Sequence, residues 1–316
     1  MIQNILDDIY SRISEEQSGE VANYIPALAE ADPKDFGLAI VTVNGDVYTA
    51  GDADTPFTIQ SQSKPFTFAL ALEECGIETT YEHVGTEPSG DAFNSVVLDP
   101  VTKVPFNPMV NSGALSMAGL IQEKKGEGAF EAIRSCYSSF AGAELSVNDR
   151  VYDSELATAH RNRAIAHLMR SGDVVSDPVD EVVHLYTEQC SIEVTARQMA
   201  TMSASLANIG TNPVTDETIV SPLVVRHVLS LMFTCGMYDY AGRWAVDVGM
   251  PAKSGVSGGL MAVVNRQIGI GLYSPPLDEH GNSVRAIKAC VELAEEFGLH
   301  AFEFSNAGSS MLSVYI

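Results

Sequence analysis

The sequence predicts an α+β fold, an antiparallel sheet built from both termini with flanking helices and an inserted, mostly helical lobe. Two β-rich runs surround Asn44-Gly45 in GLAIVTVNGDVYTAG (37–51), which is typical of a hairpin. Near the other end, GGLMAVVNRQIGIGLYS (258–274) alternates like two further strands. The intervening chain has helical periodicity. We therefore expect one domain, 1–316, with an α/β lobe of roughly 1–60 plus 250–316 and a helical lobe of roughly 61–249, and a site in the cleft between them.

The helices are predicted from apolar spacing and from residues that start or stop helices. MIQNILDDIYSRISEE opens the chain with helical spacing, and SELATAHRNRAIAHLMRSG reads as one helix between an N-cap at Ser154 and a stop at Gly172. The remaining predicted helices are DPVDEVVHLYTEQC, TARQMATMSASLANIG, SPLVVRHVLSLMFTCG and SVRAIKACVELAEEFG. The last of these is clearly amphipathic.

Composition excludes some classes of function. The 316 residues carry 41 acidic and 18 basic side chains, a net charge of −23, so we expect no nucleic-acid partner. No apolar run reaches the ~18 residues that span a bilayer, and the N-terminus lacks the pattern of a signal peptide. Five cysteines without a CxxC motif favour reduced thiols rather than a disulfide framework. We expect a cytoplasmic protein that does not bind membranes.

The stretch TIQSQSKPFTFAL (58–70) contains a candidate nucleophile. Ser61 and Lys64 are three residues apart and share a helical face, whereas Ser63 and Lys64 are neighbours that point about 100° apart. A buried lysine can act as the base that a serine nucleophile needs. Pro65 cannot donate to the carbonyl of Ser61, so a helix is expected to begin near Ser61. Ser61 is therefore the better candidate, although the motif alone is a weak signal.

A second motif strengthens the first. Lys253-Ser254-Gly255 opens the C-terminal strand-rich section and is expected to place a positive charge beside the cleft. A Ser-x-x-Lys helix start followed by a distant Lys-Ser/Thr-Gly is the pattern of penicillin-binding proteins and serine β-lactamases. This pattern predicts a β-lactamase/transpeptidase-like fold.

Longer segments resemble the bacterial-type glutaminases of this serine-dependent superfold over nearly the whole chain. The matching segments are NYIPALA, QSQSKPF, EPSGDAFNS, NPMVNSGAL, YDSELATAHRNRAIA, LYTEQCS, CGMYDYAGRWA and PAKSGVSGGL. The resemblance implies hydrolysis of L-glutamine to L-glutamate and ammonia, without a cofactor or metal, by a homodimer or homotetramer. It implies that Ser61 is the nucleophile and Lys64 its helper. The residues implied to contact the substrate are Tyr24, Ser61, Asn111, Glu155, Asn162, Tyr186, Tyr238 and Val256.

The chemistry of these residue types suits a zwitterionic substrate. Glu155 offers an anion for the ammonium, while Asn111, Asn162 and a tyrosine hydroxyl offer neutral donors for the carboxylate. Glu155 and Asn162 are seven residues apart, two helical turns, and are expected on one face. No histidine cluster suggests a metal, since His160 and His167 read as surface positions.

The expected mechanism is acyl transfer. Ser61 attacks the side-chain amide, Lys64 takes or relays the proton, and either Tyr238 or Tyr186 bridges to the leaving ammonia. Backbone N–H groups of Ser61 and Val256 are expected to hold the oxyanion.

Two alternatives remain open from the sequence. One is another hydrolase of the superfold, such as a β-lactamase, D,D-peptidase or esterase, against which the missing export signal and the acidic Glu155 both argue. The other is a glutamine-binding module without activity. Asparagine is a conceivable minor substrate, because one methylene of misfit typically costs ~1–3 kcal/mol.

Overall fold

The computed structural model describes residues 1–90, 95–96, 98–176 and 178–303, so part of the EPSGDAFNS segment lies outside the described residues. The helices are α1 (Ile2–Ile13), α2 (Lys64–Cys75), α3 (Ile77–His83), α4 (Asn111–Lys125), α5 (Ala129–Ala141), α6 (Asp149–Thr158), α7 (His160–Arg170), α8 (Val179–Cys190), α9 (Ala196–Ala207), α10 (Pro222–Cys235), α11 (Ala241–Asp247) and α12 (Val284–Phe297). The strands are β1 (Gly37–Thr42), β2 (Val47–Gly51), β3 (Phe57–Thr58), β4 (Glu193–Val194), β5 (Ala252–Ser254), β6 (Gly259–Val264) and β7 (Ile268–Tyr273).

The central sheet joins the two ends of the chain. Its strand order is β2-β1-β7-β6-β5, and every neighbouring pair is antiparallel. The N-terminal hairpin thus meets the C-terminal strands where β1 pairs with β7, with Ile40 opposite Ile270. Short strands β3 and β4 form a separate antiparallel pair that leads into the Ser61 segment. The α+β architecture predicted from the sequence is confirmed.

The alternation of β1 divides the core into two clusters. Leu38 and Ile40 pack with α1 and α12, while Ala39 and Val41 face the helical section of the chain. Successive strand residues point to opposite faces of a sheet, so a nearly continuous apolar strand such as β1 can be buried on both sides.

Helix α9 packs against the sheet at unusually close range. Its N-terminus carries a capping box, in which Thr195 and Gln198 satisfy each other's backbone N–H groups. Gly269 and Gly271 of β7 lie beneath α9, and a Cβ atom at Gly271 would clash with the carbonyl oxygen of Ala196. The two glycines therefore set the distance between the helix and the sheet.

The helix predicted between Ser154 and Gly172 is wrong in its bounds and its continuity. The segment read as one helix from Ser154 to Gly172 is two helices, α6 and α7, separated at Ala159, whose ψ of 24° is not helical. The helix begins earlier, at an N-cap provided by Asn148, whose side chain accepts from the N–H of Val151. Ser154 instead accepts from the N–H of Ala27 at 3.2 Å. Apolar periodicity continues through this break, which is why the sequence did not reveal it.

The other sequence predictions for helices agree with the structure. The segments that contain α8, α9, α10 and α12 are helical, and Ser221 and Ser283 cap the last two. All five cysteines are free thiols, and both His160 and His167 lie on the surface. Among the described residues, no helix combines the length and apolarity needed to cross a bilayer.

Candidate active site

A cavity of about 270 Å³ brings together most of the residues singled out from the sequence. It is lined by Tyr24, Ile25, Gln60, Ser61, Asn111, Glu155, Thr158, Ala159, Arg161, Asn162, Tyr186 and Val256. Seven of the eight residues expected to contact a substrate belong to this lining. The eighth, Tyr238, and the predicted base Lys64 are not part of it.

Ser61 lies at the entrance to α2. A short 3₁₀ helix, Gln60–Ser63, precedes α2, and Pro65 occupies the first turn of that helix, where its missing N–H costs no helical hydrogen bond. Gln60 has a φ of 48°, an uncommon conformation for a residue other than glycine. The position of Ser61 at the start of the helix, predicted from Pro65, is confirmed.

Lys64 is fully buried behind Ser61. Its Nζ donates to Oδ1 of Asn111 at 2.7 Å. Burial lowers the pKa of Lys64 to about 8, and the nearby acidic groups, including Glu155, only partly counteract this. A substantial fraction of this amine is therefore neutral near pH 8 and able to accept a proton.

Ser63 faces away from the cavity and into the core. Its hydroxyl accepts from Nε2 of Gln189 at 3.2 Å, and its carbonyl oxygen accepts from the hydroxyl of Tyr137 at 3.0 Å. Ser63 is fully buried and does not line the cavity. These contacts give Ser63 a packing and hydrogen-bonding role in the core.

Glu155 places a carboxyl group in the cavity wall. It is 8% exposed and accepts from Nε2 of Gln60 at 3.0 Å. Burial raises the pKa of Glu155 to about 7, while the hydrogen bond from Gln60 and the charge of Lys64 lower it. A buried carboxylate with so little compensation favours a cationic group as its partner.

Asn111 and Asn162 form an ordered amide chain. Oδ1 of Asn111 accepts from Lys64 and, at 3.3 Å, from the hydroxyl of Tyr186. Its Nδ2 then donates to Oδ1 of Asn162 at 3.2 Å. Because the oxygen of Asn162 is already an acceptor in this chain, its amide N–H groups are the part that can serve an anion.

Tyr238 lies beside Ser61, next to the cavity. Burial raises the pKa of Tyr238 to about 12, while hydrogen bonds with Ser61 and Ser254 counteract the increase. The tyrosine hydroxyl donates to the carbonyl oxygen of Ser254 at 3.2 Å. A φ of 57° holds its backbone in the left-handed region, a form of strain that is concentrated at functional sites.

Lys253 lies beneath Tyr238 and does not line the cavity. Its side chain is fully buried, with Nζ 3.8 Å from the centroid of the Tyr238 ring and 2.8 Å from the carbonyl oxygen of Ser254. Burial and the charge of Lys64 lower the pKa of Lys253 well below its usual value. Lys253 therefore lies beside the cleft without lining it, because strand β5 turns this side chain inward beneath Tyr238.

Five lining residues were not predicted from the sequence, and two of them, Gln60 and Arg161, have side chains that bear on the chemistry of the site. Gln60 donates to Glu155, and Arg161 lines the cavity wall from the first turn of α7. Gln60 gives no sequence signal, because its role depends on a residue 95 positions away. Arg161 stands beside Asn162 in α7, and helical neighbours point about 100° apart, so the choice of Asn162 gave no reason to expect Arg161 in the same wall.

Carboxylate, histidine and cysteine side chains do not assemble into a metal site within the described ranges, where no group of three or more could hold an ion. The chemistry of the cavity rests on hydroxyl, amine, amide and carboxyl groups.

Comparison with known proteins decides the family. Residues 19–302 match the family profile described as Glutaminase. This chain belongs to the glutaminase family. Glutaminase 2 of Bradyrhizobium diazoefficiens is 52% identical over 299 residues, covering 95% of this chain and 48% of the relative. A glutaminase of Trichormus variabilis is 48% identical over 302 residues, covering 95% of this chain and 90% of the relative.

A solved glutaminase structure supports the same fold. The covalent complex between the Bacillus subtilis glutaminase YbgJ and 5-oxo-L-norleucine superposes with a TM-score of 0.87 at 33% identity, covering 96% of this chain and 100% of that one. The chain spans about half the length of the two Bradyrhizobium glutaminases it matches.

Proposed function

We propose that this glutaminase hydrolyses L-glutamine to L-glutamate and ammonia through a seryl acyl-enzyme. One observation carries the proposal: Ser61 opens onto a cavity whose wall contains the buried carboxyl group of Glu155, while the buried amine of Lys64 lies three residues further on. A serine with an adjacent base is suited to acyl transfer, and a buried anion is suited to an α-ammonium. The B. subtilis relative forms a covalent complex with 5-oxo-L-norleucine by reaction with 6-diazo-5-oxo-L-norleucine, which is consistent with a nucleophile in this family.

The first half-reaction acylates Ser61. Its Oγ bonds to the side-chain amide carbon while neutral Lys64 accepts the hydroxyl proton, directly or through Tyr238. Transfer of that proton to the amide nitrogen lets the C–N bond break and ammonia leave. The backbone N–H groups of Ser61 and Val256 would stabilise the oxyanion, each donor contributing on the order of a few kcal/mol. In the described part of the chain, the N–H of Val256 donates to no backbone carbonyl, which keeps it available for this role.

The second half-reaction hydrolyses the ester. Water attacks the glutamyl carbon, the same base takes its proton, and Ser61 leaves with a proton restored to its oxygen. Throughout the cycle Glu155 binds the α-ammonium. Tyr24 is half exposed at the cavity edge, and Tyr24, Asn111, Asn162 and Tyr186 complete the binding wall.

Tyr238 is the better of the two candidate proton relays. It shares a hydrogen bond with Ser61, whereas the hydroxyl of Tyr186 donates to Asn111. The same contacts favour Tyr186 as a residue that orients the amide chain.

The test compares matched serine variants. Ammonia release from L-glutamine is measured for the parent protein, Ser61→Ala and Ser63→Ala. Ser61→Ala should lose at least about a thousandfold in kcat, because the acyl-enzyme cannot form. Ser63→Ala should keep most of the activity. Turnover retained in Ser61→Ala and lost in Ser63→Ala would overturn the assignment.

Two rival functions have direct assays. A β-lactamase, D,D-peptidase or esterase of the same superfold would open nitrocefin or cleave simple esters faster than it releases ammonia from glutamine. A binding module without activity would bind glutamine in calorimetry and release no ammonia. L-asparagine is tested in parallel and should react more slowly, because its amide is one methylene short of Ser61.

We further propose that residues 1–316 act as one catalytic domain with the two lobes described above, as a homodimer or homotetramer in the cytoplasm. The free thiols support a reducing compartment, and the oligomeric state rests on the family resemblance. Light scattering after gel filtration measures the assembly.

A further inference from the structure

The cavity contains one charged group whose use is not yet explained. Among its described lining residues, Glu155 is the only aspartate or glutamate and Arg161 the only lysine or arginine. An amino-acid substrate carries both an ammonium and a carboxylate. Glu155 is assigned to the ammonium, whereas the amide and hydroxyl donors assigned to the carboxylate are neutral, so the carboxylate has no cationic partner in that assignment.

The two lysines near the site are poor partners for that carboxylate. Lys64 is buried, donates to Asn111 and is needed as a neutral base. Lys253 is buried beneath the ring of Tyr238 and does not line the cavity. A guanidinium is a cation whose planar fork matches the geometry of a carboxylate.

Arg161 differs from the other arginines of its helix. Arg163 lies 3.7 Å from a carboxylate oxygen of Asp180, and Arg170 lies 2.7 Å from one of Asp173. Arg161 is exposed, and within the described residues it takes part in no ion pair. A cation in the first turn of a helix is also unfavourable for the helix dipole, so helix stability does not account for its presence.

The break between α6 and α7 adds a second feature that favours an anion. The N-terminus of α7 opens at the cavity wall, where Thr158, Ala159, Arg161 and Asn162 all contribute to the lining. No side chain caps this terminus, and no acidic residue stands in its first turn. The first N–H groups of a helix lack partners within the helix, and together with a guanidinium they form an electropositive wall.

We propose that Arg161 determines specificity for substrates with a free α-carboxylate, which it holds against the first turn of α7. This inference rests on the proposed glutaminase function. It assigns opposite ends of the zwitterion to the two helices on either side of Ala159: the ammonium to Glu155 on α6 and the carboxylate to Arg161 on α7. Asn162 supplies neutral donors at the same end.

The test measures kcat and KM for Arg161→Gln, Arg161→Lys and a matched control, Arg226→Gln. Arg226 is an exposed arginine on α10 outside the cavity, so its substitution removes the same charge from the protein. L-glutamine is compared with L-glutaminamide, whose α-carboxylate is replaced by a neutral amide; hydrolysis of its side-chain amide is followed through the isoglutamine formed. Circular dichroism confirms that each variant is folded.

Arg161→Gln should raise the KM for L-glutamine by about 10- to 100-fold, with kcat changed less than about threefold. Its kcat/KM for L-glutaminamide should match that of the parent, so the preference for the free carboxylate falls by the same factor. Arg161→Lys should recover part of that preference, and Arg226→Gln should behave as the parent. Equal losses on both substrates, or a KM like that of Arg226→Gln, would overturn the proposal.

The outcome separates this inference from the proposed function. If the parent releases no ammonia from glutamine, the proposed function fails, and calorimetric binding of L-glutamate to the parent and to Arg161→Gln tests Arg161 alone. Binding weakened at least about tenfold in Arg161→Gln supports the role of Arg161. Equal affinities, or no binding to either protein, refute it.

Discussion

The proposed mechanism requires catalytic efficiency to rise steeply with pH between about 6 and 9. Lys64 must be neutral to accept a proton, and Glu155 must be ionised to hold an ammonium. Their pKa values of about 8 and about 7 both place the active state on the alkaline side. An unperturbed lysine with a pKa of 10.5 would be neutral in only about 0.03% of molecules at pH 7, whereas a pKa of about 8 gives about 9%, roughly a 300-fold gain.

The size of the pH effect follows from these two values. The fraction of enzyme with Lys64 neutral and Glu155 ionised is about 90% at pH 9, about 5% at pH 7 and about 0.1% at pH 6. We therefore expect kcat/KM to fall about 20-fold from pH 9 to pH 7 and about a thousandfold from pH 9 to pH 6. On a logarithmic plot, the slope should steepen from one towards two below pH 7.

The assay is ammonia release at low glutamine concentration, since kcat/KM reports the ionisation of the free enzyme. Circular dichroism at each pH verifies that the protein is folded. In Glu155→Gln, the pH profile of kcat/KM should keep the ionisation near pH 8 that belongs to Lys64 and lose the one near pH 7. The slope of its logarithmic plot should therefore stay near one below pH 7. Lys64→Arg should be nearly inactive, because a guanidinium cannot serve as the base. A profile that is flat between pH 6 and 9, or that rises towards acid, would refute the role given to a neutral Lys64.

Three further predictions concern stability and proton transfer. The folded pKa of Glu155 lies above its unfolded value of 4.5, so folding takes up a proton and the unfolding free energy falls as pH rises from 4.5 to 7. Glu155→Gln should therefore raise the unfolding free energy by about 3 kcal/mol at pH 8 and change it little at pH 4. Urea titrations that show an equal gain at both pH values would contradict this. Tyr238→Phe should lower kcat by about 10²–10⁴-fold, and Tyr186→Phe should lower it by less than about tenfold. If stopped-time ammonia assays show the reverse order, Tyr186 is the proton relay. Gly271→Ala should destabilise the protein by about 1–3 kcal/mol, because the added Cβ meets the α9 backbone. Gly242→Ala is the control and should not destabilise it, because the space around Gly242 is open. Similar urea midpoints for the two variants would refute the close-packing argument.

Local sequence rules predicted the main architecture and favoured Ser61 over Ser63 as the candidate nucleophile. The hairpin at Asn44-Gly45 and the alternating C-terminal strands predict the antiparallel sheet, because period-two patterning depends only on neighbouring residues. The preference for Ser61 over Ser63 follows from helical spacing and from Pro65, and the contacts of Ser63 with Gln189 are consistent with it. These features are local, so residue spacing alone was sufficient to predict the sheet and the position of Ser61 at the start of a helix.

Tertiary structure decided the features that depend on distant contacts. The chain breaks at Ala159 although apolar periodicity continues, and Arg161 and Asn162 in the first turn of α7 both line the cavity. Packing buries Lys64 and lowers its pKa, and it directs Lys253 beneath Tyr238 rather than into the cleft. Desolvation, and the meeting of side chains far apart in sequence, depend on the whole folded environment, and residue spacing carries no direct record of either.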